Sequence, residues 1–166
     1  MKRHGCAALL LFCAGSVPTP LAAVTSQSFQ VSATVTAGCL VVGGVSSYGS
    51  LNFGSRSALA TGTVQVALTG GVQLQCTPGV TLNMTVDGGQ YNSGGRHLQL
   101  TTGSNQIAYQ LFRDAAFSQS LGIGQSVAVA YSDANNISLP IYGQVQLPGN
   151  QPGGTYSDVL QVQLSW

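Results

Sequence analysis

Charge is what this sequence has least of. Charged residues occupy 5% of its 166 positions, glutamate is missing altogether, and the single lysine is Lys2. Beyond residue 23 the cations are Arg56, Arg96 and Arg113, set against Asp87, Asp114, Asp133 and Asp158, so that stretch carries 3 − 4 = −1. Nucleic-acid binding needs a basic stripe that displaces counterions from phosphates, and three dispersed arginines do not make one. No nucleic-acid partner is expected. Long apolar runs are scarce too. The run from Cys6 to Gly15 is about ten residues, half of the roughly 20 that span a bilayer.

Catalytic and metal-binding residues are just as thin on the ground. His97 is the only histidine beyond residue 23, beside Arg96 and ten residues from Asp87. A Ser/His/Asp site needs a positioned nucleophile, and the chain has no Gly-x-Ser-x-Gly elbow. A structural zinc site takes four Cys or His ligands, while Cys39, Cys76 and His97 are the three available in that stretch. Paired carboxylates for glycoside hydrolysis would have to come from four aspartates. Of these, Asp87, Asp133 and Asp158 stand beside turn-type residues, where Asp commonly bonds its own backbone. Gly122-Ile123-Gly124 lacks the third glycine and the following helix of a phosphate loop. The expectation is a non-enzyme with no cofactor and no metal.

What is present begins with an export signal. Lys2, Arg3 and His4 precede the apolar run, and Pro18 and Pro20 lead to Leu21-Ala22-Ala23. That basic, apolar, small-residue order predicts a signal peptide over residues 1–23 with cleavage after Ala23. The competing reading is a lipoprotein signal with Cys13 as the lipidated residue, against which Phe12 is too bulky for its place. Cys6 and Cys13 leave with the signal. Cys39 and Cys76 remain, and two cysteines in an oxidising compartment read as one disulfide, the alternative being two buried free thiols.

Beyond the signal the apolar positions alternate with period two, bounded by Gly, Pro and Asn clusters, which is the pattern of strands. Phe29 to Thr36 alternates without error, and Thr63–Leu68, Val72–Cys76, Val80–Val86, His97–Thr101, Gln106–Arg113, Ser126–Tyr131 and Leu139–Leu147 follow. Tyr156 to Trp166 is expected as the last strand, with Leu160, Val162, Leu164 and Trp166 on one face. Seven or more short strands divided by turns predict an all-β sandwich of one domain. Val24 to Thr36 carries neither charge nor proline, the devices by which edge strands of soluble monomers avoid pairing.

Several segments together resemble the spore coat protein U domain family, which includes subunits of archaic (Csu-type) chaperone–usher pili. They are Phe29-Gln-Val-Ser-Ala-Thr-Val leading to Cys39, Leu51-Asn-Phe-Gly54, Val72-Gln-Leu-Gln-Cys76-Thr-Pro-Gly and Leu82-Asn-Met-Thr-Val-Asp-Gly-Gly89. Arg96, Ile107-Ala-Tyr-Gln-Leu-Phe-Arg-Asp114, Pro140-Ile-Tyr-Gly143 and Pro152 to Trp166 complete the set. The resemblance implies an incomplete immunoglobulin-like β-sandwich completed by a donor strand. It implies a signal over 1–23, a donor segment over 24–37 and a pilin domain over 38–166. Phe29, Val31, Ala33 and Val35 match the donor strand's inward face. The implied partners are a periplasmic chaperone, an outer-membrane usher and neighbouring pilin subunits. The implied course is export through the periplasm to a surface pilus serving attachment and biofilm formation. No lysine is left for the cross-links of Gram-positive pilins, and the chain lacks the long N-terminal helix of type IV pilins. The other reading is a stand-alone secreted β-sandwich, a binding domain or a coat or matrix protein. A carbohydrate binder favours clustered exposed aromatics, whereas Tyr48, Tyr91, Tyr109, Phe117, Tyr131, Tyr142 and Tyr156 are scattered along the chain.

Overall fold

The structure, a computed structural model, describes residues 27–43 and 47–166. The expected signal peptide and Val24–Ser26 lie outside the described residues. The chain divides into two units, Met1–Thr34 and Val35–Trp166. In the first unit, Gln27–Thr34 has no ladder partner among the described residues, and Phe29 and Val31 are 86% and 82% exposed. The strand expected over Phe29–Thr36 is therefore not formed in this single chain, because an extended segment becomes a strand only when another backbone pairs with it.

The second unit is all-β. Its strands are β1 (Cys39–Val41), β2 (Thr61–Ala67), β3 (Leu74–Cys76), β4 (Asn83–Val86) and β5 (His97–Leu100). They continue with β6 (Gln106–Phe112), β7 (Val127–Ala128), β8 (Tyr142–Pro148), β9 (Tyr156–Ser157) and β10 (Val162–Ser165). All pairings are antiparallel. One layer is a five-stranded sheet in the order β2-β8-β6-β5-β9; the other comprises β10-β4-β7 and the pair β1-β3. The unit is an immunoglobulin-like sandwich with one flank left open.

Alternation decides which side chains enter the core. Ile107, Tyr109 and Leu111 of β6 point inward and are buried, whereas Ala108 and Gln110 face out. Leu82, Met84 and Val86 answer them from the other layer, with exposures of 1% or less. On the outer face of the five-stranded sheet the strands are knitted by amides. Gln65 Nε2 donates to Gln144 Oε1 at 2.8 Å, and Gln106 Nε2 to Gln99 Oε1 at 3.0 Å.

Cys39 and Cys76 are disulfide-bonded and stand opposite each other in the β1–β3 register. Closing a loop with a sequence separation of 37 stabilises by about 4 kcal/mol on the loop-entropy model. β1 is not among the expected strands, since its neighbourhood of Gly and Val has no clean alternation. Pairing across the disulfide makes it a strand. The expected single strand Tyr156–Trp166 is instead two, because the chain leaves the five-stranded sheet after β9 and enters the opposite layer as β10.

Candidate functional site

That crossing shapes the open flank. β10 pairs with β4 on one side, and its other edge has no ladder partner among the described residues. Facing it is Ser47–Ser57, tied to the end of β2 by reciprocal backbone bonds between Ser50 and Thr69 at 2.8 and 2.9 Å. Two clefts, of about 700 and about 470 Å³, share Ser50, Leu51, Phe53, Leu98 and Asp158 in their walls; the smaller is bordered by Leu160 and Val162, the larger by Pro148 and residues 151–158. Leu51 and Phe53 reach the cleft floor because Gly143 on β8 has no side chain. A Cβ there would lie 3.1 Å from Leu51 and 3.0 Å from Phe53. The apolar walls are Leu51, Phe53, Leu98, Leu160 and Val162, all half-buried, over buried Ile107, Tyr109, Ile141 and Val145. The cleft is a stretch of core with its cover missing.

A buried polar cluster holds the wall in place. Arg96, 5% exposed, donates to Asp87 O at 2.8 Å, Leu121 O at 2.7 Å, Val86 O at 3.0 Å and Gly122 O at 3.4 Å. One guanidinium thus joins the end of β4 to the loop before β7, and its five-donor fork suits a site of several carbonyls. Burial pulls Arg96 below its ordinary pKa, opposed by Tyr109 and by the carboxylates of Asp87 and Asp158. Two aspartates then clasp the crossing segment. Asp87 Oδ1 accepts the N–H of Gly89 at 3.0 Å and of Gln161 at 2.9 Å. Asp158 Oδ1 accepts from the N–H of Gln90 and of Val159, both at 2.8 Å, and Oδ2 accepts from the Tyr109 hydroxyl at 2.7 Å. Desolvation raises the Tyr109 pKa well above the usual phenol range, and the hydrogen bond to Asp158 adds to it. Gly89 adopts φ +79°, and a Cβ there would overlap the Asp158 carboxylate, so glycine is required on both counts.

These positions are where sequence reasoning falls short. Arg96 enters it as one of three dispersed arginines and as part of a family pattern, with no structural role, and Asp158 reads as a turn residue bonded to its own backbone. Asp158 does bond the next N–H, yet it also bonds Gln90 and Tyr109, partners 68 and 49 residues away. The signal for Arg96 is its rarity: one of three arginines in its stretch, placed directly before an alternating strand. Asp133 Oδ1 does accept from Asn135 N–H, as a turn aspartate should. His97 is half-buried, and its Nδ1 lies 2.8 Å from Gly95 O. Asp87 accepts from the Gly89 and Gln161 N–H groups at Oδ1 and from Arg96 at its backbone carbonyl. Among the scattered aromatics the structure brings Phe117 against Phe112 and Tyr142, with ring centroids at 5.5 and 5.9 Å. The three are buried or half-buried against one another, which is packing and not an exposed platform.

A family model described as Spore Coat Protein U domain matches residues 25–163. The chain belongs to that family. No curated protein sequence matches it. Among solved structures, the SCPU chain is similar to the CsuC–CsuE chaperone–tip adhesion subunit pre-assembly complex from archaic chaperone-usher Csu pili of Acinetobacter baumannii. The TM-score is 0.55 at 15% identity, covering 80% of this chain and 41% of that one. At that identity the likeness is one of fold, and this chain spans less than half of the matched chain's length.

Proposed function

We propose that this SCPU protein is a structural subunit of an archaic chaperone–usher pilus, assembled by donor-strand exchange and serving surface attachment and biofilm formation. One observation carries the reading: among the described residues the core lies open along a cleft between Leu51 and Phe53 on one side and Leu160 and Val162 on the other. The chain also contains a segment of the right pattern to cover such a cleft. Phe29, Val31, Ala33 and Val35 alternate with polar residues, and Val35 is 89% exposed. Strand addition draws affinity from main-chain bonds and register from alternate side chains. Burying Phe29, Val31 and Val35 contributes about 5–8 kcal/mol gross.

On this reading residues 1–23 direct export, residues 24–37 form the donor segment and residues 38–166 the acceptor domain. A periplasmic chaperone covers the cleft first. An outer-membrane usher then replaces it with Phe29–Val35 of the next subunit. The protein is a building block and catalyses nothing.

The test is removal of the donor. Without Val24–Thr36, the subunit should fold with its chaperone and fail to extend a fibre. Val31→Asp in the full chain should act likewise, because an unpaired carboxylate would have to enter an apolar cleft. A synthetic Val24–Thr36 peptide should raise the melting temperature of the shortened subunit, as ligands of the native state do. A shortened subunit that is a stable monomer indifferent to the peptide would mean a sandwich complete in itself. The stand-alone secreted binding, coat or matrix protein would then be the correct reading.

A further inference from the structure

Of the two charged side chains that line the clefts, Arg56 borders only the larger and Asp158 borders both. Inward positions along their C-terminal wall are Tyr156, Asp158, Leu160 and Val162, and three of them are large and hydrophobic. The fourth is a carboxylate. Asp158 belongs to the walls of both clefts, and its two oxygens are engaged by Tyr109 and by the N–H groups of Gln90 and Val159. It cannot be turned out of the way, because these bonds tie the crossing segment to the turn after β4. An incoming strand must therefore pass over it.

We infer that Asp158 is the register- and specificity-determining residue of the cleft, selecting a strand with a small residue at the position that faces it. The inference rests on the donor-strand reading above and assigns that strand its alignment. Four inward wall positions meet four inward donor positions, Phe29, Val31, Ala33 and Val35, of which one is small. Aligned antiparallel, one to one, Val35 meets Tyr156, Ala33 meets Asp158, Val31 meets Leu160 and Phe29 meets Val162. Aligned parallel, one to one, Val31 covers the carboxylate instead. A shift by two residues in the antiparallel sense puts Val35 or Val31 there. A large apolar side chain over Asp158 strips water from a charge without replacing the lost contacts, which is the costly form of burial. A methyl group leaves space for water to reach the free lone pairs. The carboxylate thus acts against wrong registers and against wrong strands, as repulsive elements do in other specific interfaces. The other inward positions of this wall are Tyr156, Leu160 and Val162, so slippage by two residues keeps apolar side chains on apolar positions there, and the carboxylate is what opposes it.

The test uses the full chain, whose multimers contain donor and acceptor together, and reads the melting temperature of multimers that resist detergent. Ala33→Val alone is expected to lower that temperature by more than 10 °C. In an Asp158→Asn background, which keeps shape and acceptor but removes the charge, the same change should lower it by less than half as much. Ala33→Ser, which adds a donor opposite the carboxylate, should leave it unchanged or higher. Two guards keep the result readable. Far-ultraviolet circular dichroism of each variant with its chaperone reports folding, and Asp158→Ala serves as a second acceptor variant. Equal losses from Ala33→Val in both acceptor backgrounds, with wild-type multimers intact, would overturn the register while leaving strand exchange standing. Coupling of Asp158 to Val31 or Val35 in place of Ala33 would overturn it as well. Wild-type chains that form no such multimers would remove the donor-strand reading and this inference together.

Discussion

β4 and β10 lie side by side and in register, yet they live in different surroundings. Met84 stands opposite Leu164, and Val86 opposite Val162. In each pair both side chains face the same interior. The β4 members are 0% and 1% exposed, whereas their β10 partners are half-buried. One strand spacing, roughly 4.8 Å, separates a finished core from an unfinished one. Residue type is not the cause, since Leu and Val are as hydrophobic as Met and Val. The cause is that β4 has β10 on one side and β7 on the other, while β10 borders the cleft. In this fold the same apolar alternation can mean a sealed interior or a surface waiting for cover, depending on the number of neighbouring strands.

The largest expected effect comes from breaking what holds the two flanks together. Arg96→Met keeps bulk but strands the carbonyls of Asp87 and Leu121, whereas those of Val86 and Gly122 keep the N–H groups of Gly124 and Gln125. At about 1–3 kcal/mol per unsatisfied buried group, two such groups should cost about 2–6 kcal/mol. Chemical denaturation of the subunit with its cleft filled checks this; a midpoint within error of wild type would show that water replaces the arginine at no cost. The paired residues sharpen the comparison next. Met84→Ala should cost about 2–5 kcal/mol, the usual range for a fully buried truncation. Leu164→Ala should cost less than half of that in the unassembled chain, and the gap should narrow on assembly. Equal costs before assembly would contradict the difference in burial.

The smallest effect is the most diagnostic. Tyr109→Phe removes the hydroxyl bonded to Asp158 and should cost about 1–2 kcal/mol at neutral pH. The wild-type phenol has its pKa raised by folding. Its contribution is therefore fully present below the unfolded value of about 10 and is lost progressively as pH rises above it. Melting temperatures measured from pH 8 to pH 11.5 should fall more steeply for wild type than for Tyr109→Phe. Parallel curves would show that the phenol does not titrate differently in the folded state.

Much of the architecture is readable in advance because a strand with one buried face writes its orientation into every second residue. The alternation of Ile107, Tyr109 and Leu111 or of Leu82, Met84 and Val86 is local, and the tertiary fold honours it. The Tyr156–Trp166 run reads as one strand because alternation continues unbroken through Asp158. Periodicity reports which face a side chain is on and not which sheet its backbone joins. The switch between sheets depends on the clasp from Asp87 and Gln90, about 70 residues earlier in the chain. β1 escapes notice for a related reason: three residues without clean alternation become a strand through pairing with β3 at the disulfide.

The amino-acid sequence by itself determined the all-β class, the inward and outward faces, the absence of a basic surface and the candidacy of Cys39 and Cys76. Each of these depends on residue identity or on spacing within a few residues, where side-chain period and composition act directly. Tertiary structure alone decided that Leu160 and Val162 border an uncovered cleft while Met84 and Val86 do not. It alone gathered Arg96, Asp87, Tyr109 and Asp158 into one cluster. The physical reason is that burial and hydrogen-bond partnership are properties of neighbours in space. In an antiparallel sandwich those neighbours come from strands far apart in the chain, so no local pattern of residues encodes which of them will be missing.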